Sequence, residues 1–105
     1  MTEDMKVIPF TLILHAGNSR SLSMEALDFA KQKQFEQAKQ RFSEAEVELT
    51  LAHKIQTELL FKEQGEEGLQ DYDVGILMVH AQDHMTMATI CLDMCRELSL
   101  LYESR

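Results

Sequence analysis

The sequence predicts an all-α chain folded as an antiparallel three-helix bundle. Three observations carry that expectation. The 105 residues include one proline and four glycines, too few turn-formers for a chain of many short strands. Hydrophobic residues make up 45% of the chain, enough for a core at this length. They recur at spacings of three and four along three long segments. The length points to a single domain, residues 1–105, and no linker or repeat divides it.

The first segment runs roughly from Val7 to Lys33. Pro9 suits the first turn of a helix, where its missing N–H costs nothing. Leu12, Ala16, Ser19, Ser23, Ala26 and Ala30 form a stripe of mostly small residues, which permits close approach of a second helix. Gly17 in mid-helix normally costs up to ~1 kcal/mol, so a packing reason is expected there. The second segment runs from Gln34 to Gln64, with a heptad seam of Phe35, Ala38, Phe42, Ala45, Leu49, Ala52, Gln56 and Leu59. Gly65 supplies a C-terminal stop, and Glu66 to Asp71 reads as an acidic loop. The third segment is expected to be capped by Asp71 or Asp73 and to run to about Tyr102. Its expected seam is Leu77, His80, His84, Met87, Cys91, Met94, Leu98 and Leu101. A second apolar strip on the same helix, Ile76, Val79, Thr86 and Ile90, has Asp83 in its middle and predicts contact with another subunit.

The formal net charge of −8 argues against nucleic acid as a partner, because a phosphate backbone rewards Lys and Arg. A basic protein partner fits the acidic balance, and so does solubility alone. Val7 to Leu14 is broken by Pro9, preceded by Glu3, Asp4 and a single Lys6, and followed by no clean cleavage site, so it does not read as a signal sequence. It is also too short for a membrane span, and a cytoplasmic chain is expected. Cys91 and Cys95, four apart, read as small buried thiols in a reducing compartment.

The chemistry-bearing stretch is Val79-His80-Ala81-Gln82-Asp83-His84. On a helix His80 and His84 are neighbours on one face, and Asp83 lies on the adjoining strip. Three readings are open. A neutral imidazole can accept a phosphoryl group if one ring nitrogen is accessible and the other is held by a neighbour, with Gln82 or a backbone carbonyl helping to orient it. His80 and His84 can also supply two ligands of a metal-dependent bundle enzyme, with Asp83 or His53 as a third. Or the histidines are hydrogen-bonded core residues, which is the reading preferred for His15 and His53. The carboxylate is harder to place, since in an apolar strip it must be paired, protonated or metal-bound.

These residues carry a resemblance to a known family. The chain resembles the IIA component of the lactose/cellobiose-type bacterial phosphotransferase system over nearly its whole length. The likeness includes His15-Ala16-Gly17-Asn18-Ser19-Arg20-Ser21, then Ala52-His53-Lys54-Ile55-Gln56-Thr57, and above all the Val79–His84 hexapeptide. The resemblance implies a cytoplasmic phosphocarrier that takes a phosphoryl group from the small protein HPr on His80. It would pass that group to a cysteine of the IIB component while the membrane IIC component imports a lactose-, cellobiose- or chitobiose-type sugar. It further implies a homotrimer of three-helix bundles. In that trimer Asp83 of each copy approaches the threefold axis and shares one divalent cation, magnesium, per trimer. Gln82 and His84 are then supporting residues. The chain departs from the family pattern by reading Met85-Thr86-Met87-Ala88 after His84, with Thr86 and Met87 exchanged in order. Cys91 and Cys95 are not part of that pattern. A trimer repurposed for regulation is the remaining alternative.

Overall fold

The computed structural model describes residues 3–64 and 75–105, with side chains over 7–58 and 75–105. Three helices follow one another: α1 (Glu3–Lys31), α2 (Phe35–Gln64) and α3 (Ile76–Glu103). The three lie side by side in a rod of 54 × 19 × 17 Å. A helix of 30 residues, the length of α2, spans about 45 Å, so single helices run nearly the length of the rod.

The turn between α1 and α2 follows from local backbone chemistry. Lys33 adopts a left-handed conformation with φ 63°. Its N–H donates to Ala30 O at 3.0 Å, and the Gln34 N–H donates to Phe29 O at 2.9 Å. That pair of bonds is a Schellman stop, here made without glycine. The Lys33 ammonium then reaches Tyr102 O at 2.6 Å, a cation on the last carbonyls of α3.

α1 is the central element: it packs closely along both α2 and α3, which approach each other far less. The small-residue stripe makes this possible. Leu12, Ala16, Ser19, Ser23, Ala26 and Ala30 are all buried, as expected. The buried hydroxyls are satisfied, Ser19 Oγ donating to Ala45 O at 2.8 Å and Ser23 Oγ to Ser19 O at 2.9 Å. The α2 seam also matches expectation from Ala38 through Ala52. Leu59, Gly65 and the acidic loop lie outside the residues whose side chains are described.

Four expectations are corrected. α1 begins at Glu3, so Pro9 lies inside the helix and not in its first turn. Its ring is fully buried, a packing gain that offsets the backbone bond it cannot donate. The residue preceding α3 is Gly75, with no side-chain cap, in place of Asp71 or Asp73, which lie outside the described residues. A Cβ at Gly17 would meet nothing within 4 Å, so no packing requirement within the chain explains that glycine.

The fourth correction concerns α3. Its buried stripe is Ala81, Met85, Ala88, Leu92, Cys95 and Ser99, one position on from the expected seam. Met87, Met94, Leu98 and Leu101 are exposed. The reason is steric: Ala81, Ala88, Cys95 and Ser99 let α3 settle against the small-residue stripe of α1, with Met85 and Leu92 buried among them. Among the described residues, no helix is long and apolar enough to cross a membrane.

Candidate functional site

The Val79–His84 stretch lies in the first turns of α3, with Ala81 turned into the core. Helical geometry then sends the neighbours outward. His80 is exposed and His84 half-buried. Their Nε2 atoms are 3.0 Å apart, and the rings meet edge to face with centroids 4.4 Å apart at 87°. At that distance one Nε2–H donates and the other Nε2 accepts, so each ring restricts the tautomer and tilt of the other. The hydrogen-bonding partner of His80 is therefore His84, one turn on in its own helix.

Gln82 is placed elsewhere. Its Oε1 accepts a bond from Gln56 Nε2 at 2.6 Å, and its own Nε2 lies 3.8 Å from Met78 Sδ. That bond ties α2 to α3 beside the histidine pair and joins two of the stretches singled out in the sequence. Gln56 was read as a seam position and as part of the Ala52–Thr57 stretch, with no partner assigned to it. Its polar side chain in an apolar heptad was the available signal, since a half-buried amide needs a partner.

Asp83 is exposed, on the strip adjoining the imidazole pair. It falls in a line of exposed side chains, Ile76, Val79, Met87, Ile90 and Met94, that recur around it at spacings of three and four. Ile76 is 89% exposed. Among the described residues no group of three or more His, Cys, Asp or Glu side chains converges within the chain. Asp83 therefore does not complete a ligand set with His80 and His84. His53 is exposed on α2 and is not the core histidine it was expected to be. His15 is half-buried, and its Nδ1 pairs with Glu48 Oε2 of α2 at 2.5 Å.

Arg96 closes the opposite part of the α2–α3 seam. Its guanidinium meets Glu46 at 2.6 Å and lies over the Phe42 ring at 5.8 Å. This stem of α3 holds the far end of the helix while Gln56–Gln82 holds the near end, so the histidine pair projects from an element anchored along its length.

Fold and site define a class: a small helical bundle that presents an exposed imidazole, backed by a second imidazole, on its third helix. Comparison with known proteins places it more narrowly. The family model "PTS system, Lactose/Cellobiose specific IIA subunit" matches residues 7–103. The lichenan-specific phosphotransferase enzyme IIA component of Bacillus subtilis is 45% identical over 103 residues, 98% of this chain and 91% of that protein. The N,N'-diacetylchitobiose-specific EIIA component of Escherichia coli K12 is 34% identical, over 96% of this chain and 84% of that protein. Among solved structures, the cellobiose-specific enzyme IIA of Bacillus anthracis superposes with a TM-score of 0.91 at 38% identity, over 99% of this chain and 93% of that one. The IIA(chitobiose) chain of an Escherichia coli IIA–HPr complex superposes with a TM-score of 0.81 at 31% identity, over 98% and 97% of the two chains. The chain belongs to the lactose/cellobiose-specific IIA family of the phosphotransferase system. It is a phosphotransferase component.

Proposed function

We propose that this chain is a phosphocarrier that takes a phosphoryl group from phospho-HPr on His80 and hands it to a IIB component. The observation that carries the reading is the exposed His80 imidazole with its Nε2 held 3.0 Å from His84 Nε2. A lone pair on the His80 ring attacks phosphorus, and the bond from phosphorus to the donor's nitrogen breaks. The electron pair leaves with the donor, and the phosphoryl group is now on His80. Attack by a IIB thiolate reverses the roles and returns His80 to neutral imidazole. His84 holds the ring, and Gln82 holds α3 against α2 through Gln56. The known complex of a IIA(chitobiose) chain with HPr supports HPr as the donor. The relatives' sugars support a lactose-, cellobiose- or chitobiose-type substrate for the transporter served, with a IIC permease as the membrane step.

The proposed assembly is a homotrimer. The exposed line from Ile76 to Met94 is an apolar seam one helix wide, suited to other copies of α3. Asp83 lies within that seam, so three copies would bring three carboxylates together, and like charges at one axis repel. Carboxylate oxygens fit a hard divalent cation such as Mg2+, one per trimer, held by the three Asp83 side chains. When bound it would neutralise the axial charge; the phosphoryl chemistry stays on His80.

The test is direct transfer. The chain is mixed with phosphoenolpyruvate, enzyme I and HPr, and acid-labile phosphate is mapped by mass spectrometry. Phosphate is expected on His80 and lost completely in His80→Gln, with helicity unchanged because His80 is exposed. Phosphate persisting in His80→Gln would overturn the assignment.

A further inference from the structure

Two cysteines and a methionine play no part in the chemistry above. Cys91 and Cys95 are free thiols, one turn apart on α3, with Sγ atoms 3.9 Å from each other. Met24 reaches across from α1 and places its Sδ 3.8 Å from Cys95 Sγ. Cys95 is buried, Cys91 half-buried and Met24 exposed, and Cys95 contacts both of the other sulfurs at the α1–α3 seam.

The spacing has a chemical meaning. Three sulfurs bonded at about 2.3 Å to one ion in a trigonal plane lie about 4.0 Å from each other. The two separations that share Cys95, 3.9 Å to Cys91 Sγ and 3.8 Å to Met24 Sδ, fall within about 0.2 Å of that value. The donors are two thiols and a thioether, all soft, which disfavours hard cations, and a set of three rather than four favours Cu(I) over tetrahedral zinc. The thioether comes from a different helix, which fixes it relative to the thiols through the packing of α1 on α3. A cysteine pair within one helix does not by itself bring a third sulfur; here the fold does.

We propose that Cys91, Cys95 and Met24 form a three-sulfur site for a soft monovalent cation, Cu(I). Each thiol releases its proton to solvent as its sulfur donates a lone pair to the metal. Met24 donates a thioether lone pair with no proton lost, and the metal stays in the +1 state. The site lies about 16 Å along α3 from His80, eleven residues at ~1.5 Å each, and is separate from the phosphoacceptor. A bound ion would cross-link α1 to α3 without touching the histidine pair.

The experiment is an anaerobic titration of the full chain with Cu(I) against a chromogenic Cu(I) chelator. Native mass spectrometry reads stoichiometry and copper-edge X-ray absorption reads the ligands. One Cu(I) per chain with three sulfur neighbours is expected. Outer-sphere groups are worth about tenfold in metal affinity, and a direct ligand no less, so Cys91→Ser and Met24→Leu should each weaken binding by at least about tenfold. The His80→Gln, His84→Gln double variant should bind as before. Cys95→Ser changes a buried position, so the half-buried Cys91 and exposed Met24 carry the test, with helicity checked by circular dichroism. Nitrogen ligands, affinity lost only in the histidine variant, binding untouched by both sulfur substitutions, or no copper retained would each overturn the proposal.

Discussion

On α3, His80 and His84 lie one turn apart while Asp83 lies on the adjoining strip, and their surroundings differ. The imidazoles face each other at 3.0 Å, whereas the carboxylate sits in a line of exposed apolar side chains. This division was legible in the sequence because all three residues share one helix, and spacing alone sets their faces. The Gln56–Gln82 bond was not legible, since it joins residues 26 apart on different helices. Cys95 supports a pH prediction at the same scale. Burial first, then the neighbouring Cys91 thiol and Asp28, push its pKa up from 9.0 to about 11, with Lys31 opposing. Between those values the unfolded chain releases a proton that the folded chain keeps. The buried thiol's contribution is therefore full below pH 9 and lost as pH rises toward 11. Urea denaturation of metal-free protein should show stability falling by on the order of 1–2 kcal/mol across that range, and Cys95→Ala should flatten the fall.

At the scale of the element, α1 and α2 were readable and α3 was only partly so. In each of the first two helices the longest regular stripe, small residues on α1 and the heptad seam on α2, is the one that is buried. α3 is apolar on more than one face, and periodicity cannot rank the faces. The choice fell to the face with Ala81, Ala88 and Ser99, because α1 offers Ala16, Ser19, Ala26 and Ala30 and the two helices close on small side chains. Gly17 belongs to this scale as well. It is exposed in mid-helix, and an added Cβ meets nothing within 4 Å. Gly17→Ala should therefore stabilise the bundle by about 1 kcal/mol, seen as a higher denaturation midpoint with unchanged m-value.

At the scale of the whole molecule, the apolar surface left on α3 is the dominant feature. Ile76, Val79, Met87, Ile90 and Met94 are each at least half exposed and fall in line along one helix. In the proposed trimer this seam is covered and Asp83 is its one costly residue, since three like charges meet there. Asp83→Leu should convert a cation-dependent trimer into one that persists in chelator. Sedimentation equilibrium with and without EDTA checks this: the parent chain should lose trimer in EDTA and the variant should not. A parent chain that is monomeric in both conditions would remove the axial cation from the account.

The sequence by itself determined three helices, the inner faces of two of them, and the residues of the His80–His84 stretch, because each is a local property of spacing along one helix. Only the tertiary structure decided which face of α3 is buried, which glutamine meets which, and that Met24 lies against Cys95. Those outcomes depend on how closely separate helices approach, and that is set by the volumes of side chains that meet across the bundle rather than by their order in the chain.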